Sequence, residues 1–376
     1  MKRIGIDCRL WNETGVGRYI RNLVEQLQVL DQKNEYVLFM RSEDRKQLTI
    51  NNSQLTTKEN LKIVPTDIRW HSVEEQVKFP QILNKENLDL MHFPYFSVPI
   101  FYNRPYIVTI HDLIVHHFST GKASTLPAPV YALKHLAYKY VSSQAVKKAE
   151  KIIVPLKTIK EDLISTLAVP AAKIVVTHEG VDSKLELRVE RGELRNKKYF
   201  LYVGNAYPHK NLDRLVEAFI EFRKEVKDKI ELILVGKDDY FYKKLHVTVE
   251  NENIQGISFK HDVSDAELSE LYSHAVALIS PSLMEGFGLP PLEAMSLSTP
   301  VLLSDTPSFR EVCADAAFYF DPYSIKSMKE QMKFVYNIGQ QKRDEHIRKG
   351  RGRVKDFSWE RMSKQTLAVY ESCISI

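Results

Sequence analysis

Thirteen short runs rich in β-branched and aromatic residues, separated by stretches of helical periodicity, restrict this chain more than any other feature. Seven lie in the first half: Arg3 to Ile6, Tyr36 to Met40, Leu61 to Val64, Leu88 to His92, Tyr106 to Ile110, Ile152 to Val154 and Ile174 to Val176. Six follow: Tyr199 to Val203, Leu232 to Val235, Ile257 to Phe259, Ala275 to Ile279, Val301 to Leu303 and Phe318 to Phe320. Strands that alternate with helices form parallel sheets with crossover connections. Two such series predict an α/β chain of two doubly wound domains, which suits 376 residues of which 44% are hydrophobic. Between the series, Ser183 to Lys198 carries nine charges in 16 residues with no apolar periodicity, and it reads as the interdomain connection. The expected domains are 1–182 and 183–358. The amphipathic segment 359–376 forms a final helix.

Composition excludes several classes. Cys8, Cys313 and Cys373 fit neither a disulfide framework nor a zinc pattern, and read as small buried hydrophobes in a reducing compartment. The N-terminus runs straight into a strand with no apolar leader region, so a cytoplasmic protein is expected. No run of 18 apolar residues would cross a membrane. Residues 1–182 hold 24 Lys and Arg against 19 Asp and Glu, while the rest is neutral. No basic cluster with interleaved aromatics accompanies this excess, so nucleic acid is not an expected partner. Contact with an anionic membrane surface or an anionic acceptor suits it better, with Tyr131 to Tyr140 and then Lys147, Lys148 and Lys151 either as a basic amphipathic helix on lipid or as a solvated helix face.

The sharpest local signal is 280–295, SPSLMEGFGLPPLEAM. It joins the apolar run Ala275 to Ile279 to a helical pattern, so it is a strand-to-helix turn. Prolines are tolerated in a first helical turn, whose N–H groups lack intrahelical partners, and glycines let backbone approach a ligand closely. Free N–H groups and the positive helix end make such a turn an anion site. Glu285 falls in the loop and Glu293 in the first helical turn, where carboxylates suit sugar hydroxyls.

The spacing of Glu285 and Glu293 within EGFGLPPLE resembles the signature of family 4 of the nucleotide-sugar glycosyltransferases. That resemblance implies the GT-B fold, two facing Rossmann-like domains with a last helix crossing back onto the first. By position it implies that Glu285 contacts the donor sugar, that backbone from Phe287 through Gly288 to Leu289 meets sugar and pyrophosphate, and that Glu293 binds ribose. A glutamate pair without that string would read as a solvated loop residue and a helix-dipole partner.

Three further segments fit the resemblance. Asn12 to Arg18 contains Gly15 and Gly17 before a helix face of Val16, Tyr19, Ile20, Leu23, Val24 and Leu27. Ile20 stands where a third glycine would complete a dinucleotide fingerprint, so the glycines either shape helix entry or, as in the family, face a diphosphate across a cleft. His111-Asp112 follows a strand at the end where open α/β sheets bind ligands, and the resemblance gives His111 a contact to the donor sugar. His92 and the pair His116-His117 lack ligand partners at metal spacing. In Val203-Gly204-Asn205 to Lys210-Asn211-Leu212, Lys210 matches the family's phosphate lysine, but Asn205 replaces its usual arginine, unless Arg9 or Arg18 supplies that cation. Val263 falls in the family's base-contacting loop, before a helix capped by Ser264 or Asp265.

Together these imply a retaining hexosyltransferase, with His111 and Glu285 at the reacting sugar. Gly15, Gly17, Asn205, Lys210, Val263, Phe287, Gly288, Leu289 and Glu293 bind a nucleotide-sugar donor, with GDP-mannose ahead of UDP-sugars. The acceptor is a glycan or lipid-linked hydroxyl in cell-surface polysaccharide synthesis. No D-x-D motif is present, so neither a metal on the pyrophosphate nor a cofactor is expected. The alternatives are a sugar-nucleotide epimerase of the same architecture, against which the intact string argues, and a non-catalytic nucleotide-sugar-binding protein, for which Asn205 speaks.

Overall fold

The computed structural model describes residues 1–50, 60–118, 127–181 and 197–374. Of the expected connection Ser183 to Lys198, residues 183–196 lie outside the described residues, and Lys198 already belongs to the first strand of the second series. Two compact units emerge, Met1–Gly180 with Ser358–Ile376, and Val181–Phe357. Unit 1 runs β1 (Arg3–Asp7), α1 (Gly15–Leu30), β2 (Glu35–Met40), α2 (Ser42–Ile50), β3 (Leu61–Pro65), α3 (Val73–Lys85), β4 (Leu90–Phe93), β5 (Tyr106–Thr109), α4 (Ile114–His117), α5 (Ala128–Lys148), β6 (Lys151–Val154), α6 (Lys157–Leu167) and β7 (Ile174–Val176). Unit 2 runs β8 (Lys198–Val203), α7 (Leu212–Glu225), β9 (Ile230–Val235), α8 (Tyr240–Asn251), β10 (Ile257–Lys260), α9 (Asp265–His274), β11 (Ala277–Ser280), α10 (Leu289–Ser296), β12 (Val301–Ser304), α11 (Pro307–Cys313), β13 (Phe318–Phe320), α12 (Ile325–Tyr336) and α13 (Gln340–Val354). The last helix, α14 (Trp359–Ile374), returns to unit 1.

Each unit holds one all-parallel sheet, ordered β3-β2-β1-β4-β5-β6-β7 in unit 1 and β10-β9-β8-β11-β12-β13 in unit 2. Parallel sheets are covered on both faces, which is why β4, β5, β11 and β12 are buried along their whole length and read as unbroken apolar runs. In unit 2, Phe200, Leu232, Leu234 and Ile279 of the sheet share one core with Phe219 and Phe222 of α7 and Met328 and Met332 of α12. Two predicted strands were placed early: β4 begins at Leu90 and not at Leu88, and β11 begins after Ala275. Ala275 terminates α9, its N–H bonding the Tyr272 carbonyl, and β11 begins at Ala277.

The order of each sheet reverses between β1 and β4, and between β8 and β11. Ligands of open α/β sheets bind outside the carboxyl ends of the strands at such reversals. In unit 2 the loops that leave β8 and β11 are those carrying Lys210 and Glu285. Helix α14 packs on α1, β4 and β6 of unit 1 through Trp359, Met362, Thr366, Val369 and Tyr370. Gly180 makes room for it, since a Cβ there would collide with the Trp359 backbone nitrogen.

Candidate active site

In unit 2 the structure brings Lys210 and Glu285 together from the two loops of the reversal. Lys210 closes a 3₁₀ turn, Pro208–Lys210, and Asn211 then takes the left-handed conformation (φ 60°) to start α7. The Asn211 side-chain amide donates to the Pro281 and Pro322 carbonyls, and the Leu283 N–H bonds the His209 carbonyl, so the two loops are tied to each other. Lys210 Nζ donates to both Glu285 oxygens, at 2.7 and 2.8 Å, with both side chains 14% exposed. Burial works against the charge on Glu285, but Lys210 outweighs it and holds the carboxyl below its ordinary value. His209 beside the pair is pushed down to about 4 by burial and then by Lys210, so it is neutral at pH 7.

Beyond Glu285, Gly288 precedes α10 at φ 93°, a backbone that favours glycine, and no side chain caps the helix. With Leu289, Pro290 and Pro291 opening α10, the helix start has the character of an anion site. Phe287 is buried edge-on against Phe357, with centroids 5.5 Å apart, so what it offers a ligand is backbone. Glu293 stands in the second turn, not the first, because α10 begins at Leu289. It is buried, and the Tyr272 hydroxyl donates to it at 2.7 Å. Val263 lies just before a capping box in which Ser264 and Glu267 satisfy each other's backbone, so Ser264 and not Asp265 is the cap.

Asn205 serves its own loop. Its carbonyl accepts from the Tyr202 hydroxyl at 2.6 Å, and its side-chain oxygen accepts from the Tyr207 N–H at 3.4 Å. Arg9 does not replace the missing arginine. It is 2% exposed in unit 1, where its Nη2 donates to Asp7 at 2.6 Å and Glu75 at 2.7 Å and its guanidinium lies 3.9 Å over the Phe79 ring.

In unit 1 the two glycines separate. Gly17 is buried in the first turn of α1, where a Cβ would stand 2.5 Å from the Trp11 carbonyl oxygen. Gly15 opens the same helix with nothing within 4 Å of a Cβ. His111, just beyond β5, is buried with both ring nitrogens engaged: Nδ1 to Glu179 at 2.9 Å and Nε2 to the Pro94 carbonyl at 3.0 Å. The Tyr19 ring meets it edge-on at 4.9 Å. Nearby, His92 bridges the Tyr370 and Thr109 hydroxyls, at 2.7 and 2.8 Å, and fastens α14 to the sheet as a packing residue. Glu179 was missed in the sequence. It follows β7 as His111 follows β5, so the positional argument applied equally.

Residues 14–185 match the family described as Glycosyltransferase Family 4, and residues 183–353 match Glycosyl transferases group 1. The chain is 30% identical over 270 residues to the O-antigen chain mannosyltransferase RfbU of Salmonella typhimurium, covering 72% of this chain and 69% of that protein. The chain belongs to glycosyltransferase family 4. The O-antigen chain mannosyltransferase B of Escherichia coli aligns at 28% identity over 382 residues, covering 95% and 96% of the two chains. Among solved structures, the sucrose-phosphate synthase of Thermosynechococcus elongatus superposes with a TM-score of 0.78 at 18% identity over the full length of both chains. The transferase therefore has the GT-B fold.

Proposed function

We propose that this transferase moves mannose from GDP-mannose, with retention of configuration, to a hydroxyl of a glycan or lipid-linked acceptor in O-antigen or related cell-surface polysaccharide synthesis. The observation that carries the reading is the Lys210–Glu285 pair beside the uncapped start of α10. A departing nucleoside diphosphate develops negative charge, and preorganised N–H dipoles and a cation stabilise it without reorganising. An ammonium has three N–H donors, and two point to Glu285, which leaves one for a phosphate oxygen. Glu285 faces sugar hydroxyls and positions the donor, Glu293 takes the ribose, Val263 meets the base through backbone, and His111 donates to an oxygen of the donor. The acceptor attacks the face the diphosphate leaves. The names of the two mannosyltransferase relatives support the sugar and the acceptor class.

No metal takes part in this reading, which rests on the missing D-x-D motif, so transfer survives EDTA. The enzyme meets the cytoplasmic face of an anionic membrane through α5. That helix carries Lys134, Lys139, Lys147 and Lys148 and no acidic residue. Its outer face is more apolar than its sequence foretold, with Leu133 70% and Leu136 64% exposed beside Val130 and Tyr140. Such a face with lysines around it suits anionic lipid. Failure to co-sediment with anionic vesicles at low salt removes this part.

The deciding experiment incubates the protein with GDP-mannose and a panel of UDP- and GDP-sugars, with and without a lipid-linked glycan extract, and measures nucleotide release. Acceptor-dependent GDP release is expected. Acceptor-independent release would favour an epimerase, and turnover of UDP-sugars alone would overturn the donor.

A further inference from the structure

Histidine 111 has acceptors on both sides. The Pro94 carbonyl can only accept a hydrogen bond, and an ionised Glu179 can only accept one. A neutral imidazole has a single N–H and satisfies one of them. Both contacts are met together when His111 is an imidazolium and Glu179 a carboxylate, two buried groups joined in one ion pair.

We propose that Glu179 is a positioning residue that keeps His111 in its imidazolium form, so that His111 recognises its ligand only as a hydrogen-bond donor, through Nε2–H. This rests on the transferase reading above, in which His111 meets the donor. On binding, an oxygen of the nucleotide sugar takes the place of the Pro94 carbonyl on Nε2–H, while Nδ1–H stays on Glu179 and fixes the ring. No proton is transferred. The ligand atom is a lone-pair oxygen, from either a sugar hydroxyl or a phosphate.

The surroundings agree. Burial alone would lower the His111 pKa, but the Glu179 carboxylate, followed by Asp112 and the Pro94 carbonyl, reverses this and raises it above the ordinary value. From β4, His92 adds no charge, since burial pushes its pKa down to about 3. From α1, Tyr19 presents a ring edge and a hydroxyl that lies 3.2 Å from the Thr109 Oγ1. Burial drives its phenol far above the ordinary value, so it too is neutral. The charges that face His111 are thus the carboxylates of Glu179 and Asp112.

The test begins without donor. The His111 ring resonance, assigned by its loss in His111→Gln, is followed against pH by NMR in the wild-type protein and in Glu179→Gln. An amide still accepts from Nδ1–H but carries no charge. We expect a wild-type midpoint above the ordinary histidine value of about 6.5 and a fall of at least one pH unit in Glu179→Gln. A wild-type midpoint at or below 6.5, or one that Glu179→Gln leaves in place, overturns the proposal, and the wild-type measurement stands even if the variant does not fold. With GDP-mannose, the alkaline limb of the kcat/KM profile moves down in Glu179→Gln and returns in Glu179→Asp, whereas damage to packing lowers activity equally at every pH. Weaker binding of GDP as well as GDP-mannose in Glu179→Gln identifies a phosphate oxygen as the atom recognised. A loss confined to GDP-mannose identifies a hydroxyl. A shifted NMR midpoint with no sugar-nucleotide turnover would leave the pair intact and overturn the transferase reading alone.

Discussion

The segment after the first strand of each unit supplies a cation, and the two cations sit in opposite circumstances. Arg9, just past β1, is 2% exposed, lies over Phe79 and is held by two carboxylates, Asp7 and Glu75. Lys210, past β8, has one carboxylate partner and a side chain 14% exposed. A guanidinium almost fully buried, with four of its five N–H donors on Asp7, Glu75 and the Ile68 carbonyl, is closed to a ligand, whereas a flexible, partly exposed ammonium held by one carboxylate can take up phosphate while keeping its partner. The same sheet position thus yields a structural ion cluster in one unit and, in the proposed reading, a phosphate-binding lysine in the other.

The largest effect should come from breaking the closed cluster. Arg9→Leu leaves Asp7 and Glu75 without their cation, and removal of one member of a buried charge group costs about 3–5 kcal/mol. Burial already holds the Glu75 carboxyl above its ordinary value despite Arg9. Urea denaturation should show the loss, and the molecules that remain folded should bind GDP unchanged. A loss under about 1 kcal/mol would mean that the cluster is not the keystone of unit 1.

Lys210→Ala comes next, and it differs in kind. Truncating one member of a desolvated charge pair costs about 2 kcal/mol or more, felt here in both GDP affinity and turnover. Adding Glu285→Gln to Lys210→Ala should recover stability, because no buried carboxylate is left unpaired, without restoring GDP affinity. Titration calorimetry on both variants separates the two losses. Wild-type affinity in Lys210→Ala would make Lys210 another Arg9.

This contrast was half legible in the sequence. Lys210 could be singled out because it lies in a strand-to-helix turn, where free N–H groups and a nearby glycine announce an anion, and Glu285 because the string EGFGLPPLE around it resembles the family signature. The strands were equally plain, since a sheet covered on both faces demands runs such as Ile152-Ile153-Val154. Other features depend on distance in space. Arg9 meets Glu75 across 66 positions and His111 meets Glu179 across 68, and no local pattern encodes either pairing. Glu293 fell one turn from its expected place because the start of α10 is set by the left-handed Gly288 and not by the prolines alone. The outer face of α5 was read by its lysines, whereas burial decides which of its residues face out.

A smaller effect lies in the pH dependence of stability. The Glu285 carboxyl is lowered in the folded state, so the stability it contributes is present above the ordinary carboxyl range and lost as pH falls through its native value. His111 is raised, so its contribution is complete below about 6.5 and lost as pH rises through its native value. Thermal melting against pH should therefore fall away on both sides. Glu285→Gln should flatten the acid side and His111→Gln the alkaline side, and if either variant changes the opposite side, the assignments are reversed.

The finest distinction is between the two glycines of α1. At Gly17 a Cβ would press on the Trp11 carbonyl oxygen, so Gly17→Ala should cost about 1–3 kcal/mol through overpacking. That position is shaped for helix entry whatever binds nearby. At Gly15 a Cβ meets nothing, and alanine loses less conformational freedom than glycine on folding, so Gly15→Ala should keep stability or raise it by up to about 1 kcal/mol. The open backbone at Gly15 then serves either nothing or a ligand drawn to the uncapped start of α1. If a diphosphate approaches there, the added methyl stands against it, and GDP binding should weaken a few-fold while the melting temperature does not fall. Unchanged GDP affinity in Gly15→Ala, measured by calorimetry beside its melting curve, would leave unit 1 without an anion site at α1 and confine diphosphate binding to the loops around Lys210 and α10.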